Sequence, residues 1–112
     1  MKQVIEIRHY VDRAGEDIFQ RWLAEIRDGR TKAKIGVRVG RFAMGNFGDC
    51  RPLREGVWEL RIDWGPGYRI YYSLIGKAVA LLLCAGDKQR QSSDIDRAIG
   101  YLKDYRERAE KS

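Results

Sequence analysis

The chain has 112 residues, enough for one domain (1–112), and its 44% hydrophobic and 11% aromatic content supplies one core and excludes a disordered chain. No apolar run reaches the roughly 20 residues of a membrane span, and the opening Met1-Lys2-Gln3 begins no signal-peptide stretch, so a cytoplasmic protein with no membrane partner is expected. The formal net charge of +6 excludes an acidic chain and suits a polyanionic partner, either nucleic acid or an acidic protein segment.

The first element is a short β-branched strand around Val4, Ile5 and Ile7, with His9, the lone histidine, at its end. His9 reads as a structural or surface group. Residues 16–28 carry Ile18, Phe19, Trp22, Leu23 and Ile26 at helical spacing, and Gly29 is expected to end that helix. Residues 31–44 satisfy two periods. Ala33, Ile35, Val37 and Val39 alternate as in a strand, whereas Ile35, Val39 and Phe42 fall on one helical face. A helix is the reading adopted, and it gathers Arg30, Lys34, Arg38 and Arg41 within roughly 80° of arc at about 100° per residue. Residues 30–54 hold seven bases against one acid, Asp49, which accounts for the whole net charge. A solvated face is the alternative to a polyanion-binding stripe.

The second half alternates clearly. Trp58, Leu60, Ile62 and Trp64 share one strand face, with Glu59, Arg61 and Asp63 on the other. After the turn Gly65-Pro66-Gly67 comes a second strand, with Tyr68, Ile70, Tyr72 and Leu74 opposite Arg69, Tyr71 and Ser73. Gly76-Lys77 turns the chain into the apolar run 78–85, a strand buried on both sides. Ser93, with Asp96 three residues on, resembles a capping box opening a last helix through Ile95, Ala98, Ile99, Leu102 and Tyr105. Cys50 and Cys84 have neither CxxC spacing nor nearby histidines, so no disulfide framework or metal site is expected.

The resulting fold class is α+β: a small antiparallel sheet, made of the N-terminal strand and a three-stranded meander, with two helices after the first strand and a C-terminal helix. Helices on one side would leave the other face of the sheet open. On that face Glu59, Arg61, Arg69 and Tyr71 would converge, with Lys88, Arg90 and Gln91 at the rim. Arginines and a lysine suit a phosphodiester, and a tyrosine can stack on a base. The same spacing also permits an ion-pair network in which Glu59 and Asp63 neutralise Arg61 and Arg69.

The run from Leu53 through Gly56-Val57-Trp58-Glu59-Leu60-Arg61-Ile62 resembles a strand motif of the RelE/ParE toxin superfamily, nearest the HigB-like addiction-module killer branch. Gly65-Pro66-Gly67-Tyr68-Arg69-Ile70-Tyr71-Tyr72, then Leu81 to Lys88 with Gln91, Asp94-Ile95 and Ala98, continue the resemblance in order and spacing over nearly the whole chain. It implies the toxin of a type II toxin–antitoxin pair, held by a cognate antitoxin. Such toxins enter the ribosomal A site and cut mRNA with the RNA's own 2′-hydroxyl, using no metal and no cofactor. On that chemistry Arg61, Arg69 and Lys88 would stabilise the phosphorane, and Glu59 would act as general base or orient the arginines. Arg30, Lys34, Arg38, Arg41, Tyr71 and Gln91 would hold RNA and ribosome. The alternative is a ParE-like poison of DNA gyrase, and a third reading is a remnant that only binds its antitoxin; the set Arg61, Arg69 and Lys88 favours RNA cleavage.

Overall fold

The expected run of elements forms, with one strand added. A computed structural model describes residues 3–111; Met1, Lys2 and Ser112, at the ends of the expected domain, lie outside it. The order is β1 (Glu6–His9), α1 (Ile18–Glu25), α2 (Gly29–Ala43), β2 (Cys50–Pro52), β3 (Trp58–Ile62), β4 (Tyr68–Ile75), β5 (Val79–Asp87), a 3₁₀ turn (Lys88–Arg90) and α3 (Gln91–Lys111). The fold class is α+β, as the periodicities indicate. One five-stranded sheet has the strand order β1-β5-β4-β3-β2. The meander β3-β4-β5 is antiparallel, β2 pairs antiparallel with β3, and β1 runs parallel to β5 from Glu6 opposite Val79 to His9 opposite Leu82.

Two aspartates set the helix starts. Asp17 caps α1, accepting from the Gln20 amide at 3.0 Å, while its other oxygen meets His9 Nδ1 at 2.8 Å. Asp28 caps α2 by accepting from the Arg30 amide and the Thr31 hydroxyl. Those bonds hold the Asp28 carboxyl below its usual range, the Thr31 contact contributing most. A capping residue needs extended backbone, so α1 stops at Glu25 and Gly29 opens the second helix rather than ending the first. Residues 29–43 are helical, which resolves the double period in favour of the helix.

The core lies on both faces of the sheet. Leu60, Ile62, Ile70, Tyr72 and Leu82 pack under α1 and α2 through Phe19, Ile35 and Phe42. On the opposite face, Tyr71, Leu81, Leu83 and Cys84 pack under α3 through Ala98, Ile99 and Leu102. The expected open face is therefore covered. An irregularity between Tyr71 and Tyr72 skips Leu83 in the pairing register, which lets Leu83 and Cys84 both turn toward α3. Beyond it the expected face partner Leu74 is exposed. The expected capping box does not form: Ser93 lies inside α3 and donates to the Arg90 carbonyl at 3.1 Å. Asp87 instead caps the preceding 3₁₀ turn. No helix among the described residues is long and apolar enough to cross a membrane.

Candidate functional site

The side chains of β3 and β4 that face α3 build a charged cluster inside the second core. Arg51, Glu59 and Tyr71 lie in successive strands in register, and Arg61 pairs with Arg69, which pairs with Gly86. Glu59 is 0% exposed. Its Oε1 accepts from Gln91 Nε2 at 2.8 Å and faces Arg69 Nη1 at 3.4 Å, while Oε2 accepts from Arg61 Nε at 3.0 Å and lies 4.0 Å from Arg51 Nε. One buried carboxylate thus gathers three arginines and a glutamine, leaving a local excess of two positive charges.

Burial splits the expected site residues. Arg61 is partly exposed and Lys88 is exposed, without an ion pair among the described residues. Arg69 is 7% exposed, and among the described residues its Nε and Nη1 have no hydrogen-bond acceptor although Nη1 faces Glu59. Tyr71 is 0% exposed, its hydroxyl unpartnered among the described residues and its acidity suppressed chiefly by burial. An enclosed ring cannot stack on an RNA base, so Tyr71 is corrected from RNA contact to core. Gln91 likewise turns inward to Glu59. Both oxygens of Glu59 are occupied by donors, which supports the orienting role over the general base and realises the ion-pair network that the spacing permitted. Asp63 makes no ion pair in it among the described residues.

The periodicity missed one member of the cluster and a second buried carboxylate under the same helix. Arg51 reaches the cluster from β2, a three-residue strand ending in proline that carries no readable period. Asp94, in the first turn of α3, is 3% exposed, pairs with Arg97 at 3.4 Å and leaves Oδ2 without a donor among the described residues. Burial pushes its carboxyl above the ordinary range, against the opposing pull of Arg97. A Cβ on Gly86 would stand 2.0 Å from that oxygen, so only glycine admits Asp94 there.

The α2 stripe is present and unequal. Lys34 Nζ and Arg30 Cζ sit 4.9 and 5.8 Å from the Trp64 ring centroid, cation–π distances. Arg38 turns into the following loop, donating to the carbonyls of Phe47 and Asn46. Gly48, at φ +62°, leaves the room that guanidinium needs. Arg41 has no such tie among the described residues and stays exposed. Among the described residues no three His, Cys, Asp or Glu side chains converge to hold a metal ion.

No family model matches the chain. An uncharacterized protein of Haemophilus influenzae is 45% identical over 80 residues, covering 71% of this chain and 81% of the relative. The chain belongs to that protein's family. Kinship at this level carries the fold to both members and leaves activity to be argued from the site. In this member of the family, two of the four expected catalytic groups, Arg61 and Lys88, are open to solvent, while Glu59, which holds Arg61, and Arg69 are buried.

Proposed function

We propose that this protein is the toxin of a RelE/ParE-type toxin–antitoxin pair, acting in the cytoplasm as a ribosome-dependent mRNA endoribonuclease restrained by a cognate antitoxin. The resemblance of its strand motifs supports this reading. The observation that carries it furthest is the cluster of Arg51, Arg61 and Arg69 around the buried Glu59. Such a cluster is fixed positive charge, held before any substrate arrives. Cleavage by an RNA's own 2′-hydroxyl needs that charge at the phosphate as negative charge grows on the phosphorane. Arg61 is open enough to reach an RNA phosphate, and Lys88, at the same end of the sheet, supplies a point charge. Glu59 holds the arginines in place, and Arg69 adds its charge from behind.

Inducing the chain alone should stop growth, and co-expressing a neighbouring antitoxin should restore it. On programmed ribosomes Lys88→Ala and Arg61→Ala should each slow single-turnover cleavage about 100-fold, the loss of one transition-state contact. The upstream fragment should end in a 2′,3′-cyclic phosphate. Parental cleavage rates in both variants would remove this assignment.

The burial of Arg69 favours a second reading, a ParE-like gyrase poison that binds protein and cuts no RNA, because that role needs no accessible catalytic set. Accumulation of cleaved gyrase–DNA complexes with intact reporter mRNA would put it first.

A further inference from the structure

Two adjoining grooves run along the exposed side of α2. One, of about 340 Å³, lies between α2 and the edge of β3, lined by Lys34, Arg38, Arg41, Asp49, Arg61 and Trp64 among others. The second, of about 490 Å³, is lined by Arg38, Arg41 and residues 45–48. They share Arg38 and Arg41, so they form one track from Phe47 at one end to Arg61 at the other. β2 pairs with β3 only over Trp58–Leu60, and the Arg61 amide donates to the Asp49 carbonyl, which leaves the β3 edge from Ile62 on to form the wall of the groove.

The two ends differ in chemistry. Phe47 is 42% exposed, yet its ring is held against Phe42 at 5.1 Å, one side packed and the other open. The Arg38 guanidinium fixes the loop by holding its carbonyls, so the ring is presented by a braced segment. Along the rest of the track Lys34, Arg41 and Arg61 outnumber Asp49 and Asp63. A rigid aromatic face followed by spaced cations fits unpaired nucleotides, whose bases stack while their phosphates seek charge. A duplex has no free base for the ring.

We infer that this track holds a single-stranded RNA segment, with one base stacked on Phe47 and the following phosphates on Arg41, Lys34 and Arg61. The inference rests on the RNA-cleavage reading for its choice of RNA, and it identifies Phe47 as a binding residue that the basic stripe alone does not reveal. It also removes Arg38 from the contacting set, since that side chain holds the loop.

The test uses the full chain with a fluorescently labelled six-nucleotide RNA, read by anisotropy, beside a duplex of the same length. Phe47→Leu keeps an apolar partner for Phe42 but loses the flat ring, so it and Phe47→Ala should weaken single-strand binding about tenfold or more. Phe47→Trp should restore it. Lys34→Gln with Arg41→Gln should lower the slope of log affinity against log salt by roughly 1.4, about 0.7 for each phosphate released. Thermal unfolding of Phe47→Leu near the parent's midpoint shows that the loss comes from the ring and not from folding. Unchanged affinity in Phe47→Leu and Phe47→Ala, equal affinity for duplex, or no measurable single-strand binding by the parent would each overturn the inference. The outcomes separate from those of the cleavage reading: Phe47-dependent binding without cleavage keeps the track and removes the nuclease, whereas cleavage indifferent to Phe47 does the reverse.

Discussion

Glu59 and Asp94 are both buried carboxylates beneath α3, and they behave oppositely. Glu59 is fully compensated, so removing its charge strands Arg69, a cation that is 9% exposed at the side chain. Glu59→Gln should therefore cost about 3 kcal/mol or more, the usual penalty for breaking a buried pair. Urea unfolding measures it, and a loss under 1 kcal/mol would mean that Arg69 does not depend on the charge of Glu59. Asp94 is under-compensated: burial raises its carboxyl while Arg97 pulls the other way. A group whose folded pKa is raised contributes fully below its unfolded value, and that contribution is lost as pH rises through the folded value. Asp94→Asn, which cannot ionise, should therefore gain stability on the parent as pH rises from about 3 toward 8, the unfolded value being about 3.9. The melting difference between the two across that range checks this. A constant difference would show that the carboxyl titrates alike in the folded and unfolded chain.

The contact between Gly86 of β5 and Asp94 of α3 joins strand to helix with no space between them. Gly86→Ala should force the first turn of α3 to shift and cost about 1–3 kcal/mol, the usual range for overpacking. Because the obstructing atoms all belong to Asp94, the double variant Gly86→Ala with Asp94→Ala should be more stable than the sum of its singles allows. Strict additivity in that double-mutant cycle would refute the contact. Elements were largely legible from sequence because periodicity is local. Trp58, Leu60 and Ile62 announce β3, and Ile35, Val39 and Phe42 announce the inner face of α2. What covers a face is not local. The charges of Glu59 and Arg69 read as an open surface because ions are seldom buried unless paired; their pairing, and the fit of Ala98 and Leu102 over Tyr71 and Leu83, become visible only in three dimensions. β2 was unreadable because a three-residue strand has no period to detect, and the parallel partner of β1 is remote in sequence.

At the scale of the molecule, charge and core divide the labour. Two acidic groups of α3 are consumed internally: Asp104 takes Tyr10, Arg13 and Arg108, the tyrosine and Arg13 bonds holding its carboxyl down to about 2, and Asp96 takes Arg54. The cations of α2 face outward with few acids beside them, so the net charge appears on one side. Asp104's contribution is full above its unfolded value and lost as pH falls toward about 2. Asp104→Asn should thus destabilise the protein at pH 7 and matter little near pH 2, and equal melting losses at both would contradict this.

The parallel pairing of β1 with β5 has a temporal consequence. Glu6 waits for Val79, roughly 70 residues later, before its strand gains a neighbour. Contacts so distant in sequence close late and slowly. On a translating ribosome the N-terminal half emerges with its first strand and helices facing no finished sheet, and the arginine cluster is assembled only when β5 and then α3 arrive. A nascent chain halted before β5 should be cut readily by protease, whereas the released chain resists. The act of completing synthesis thereby becomes the step at which the charged site first exists.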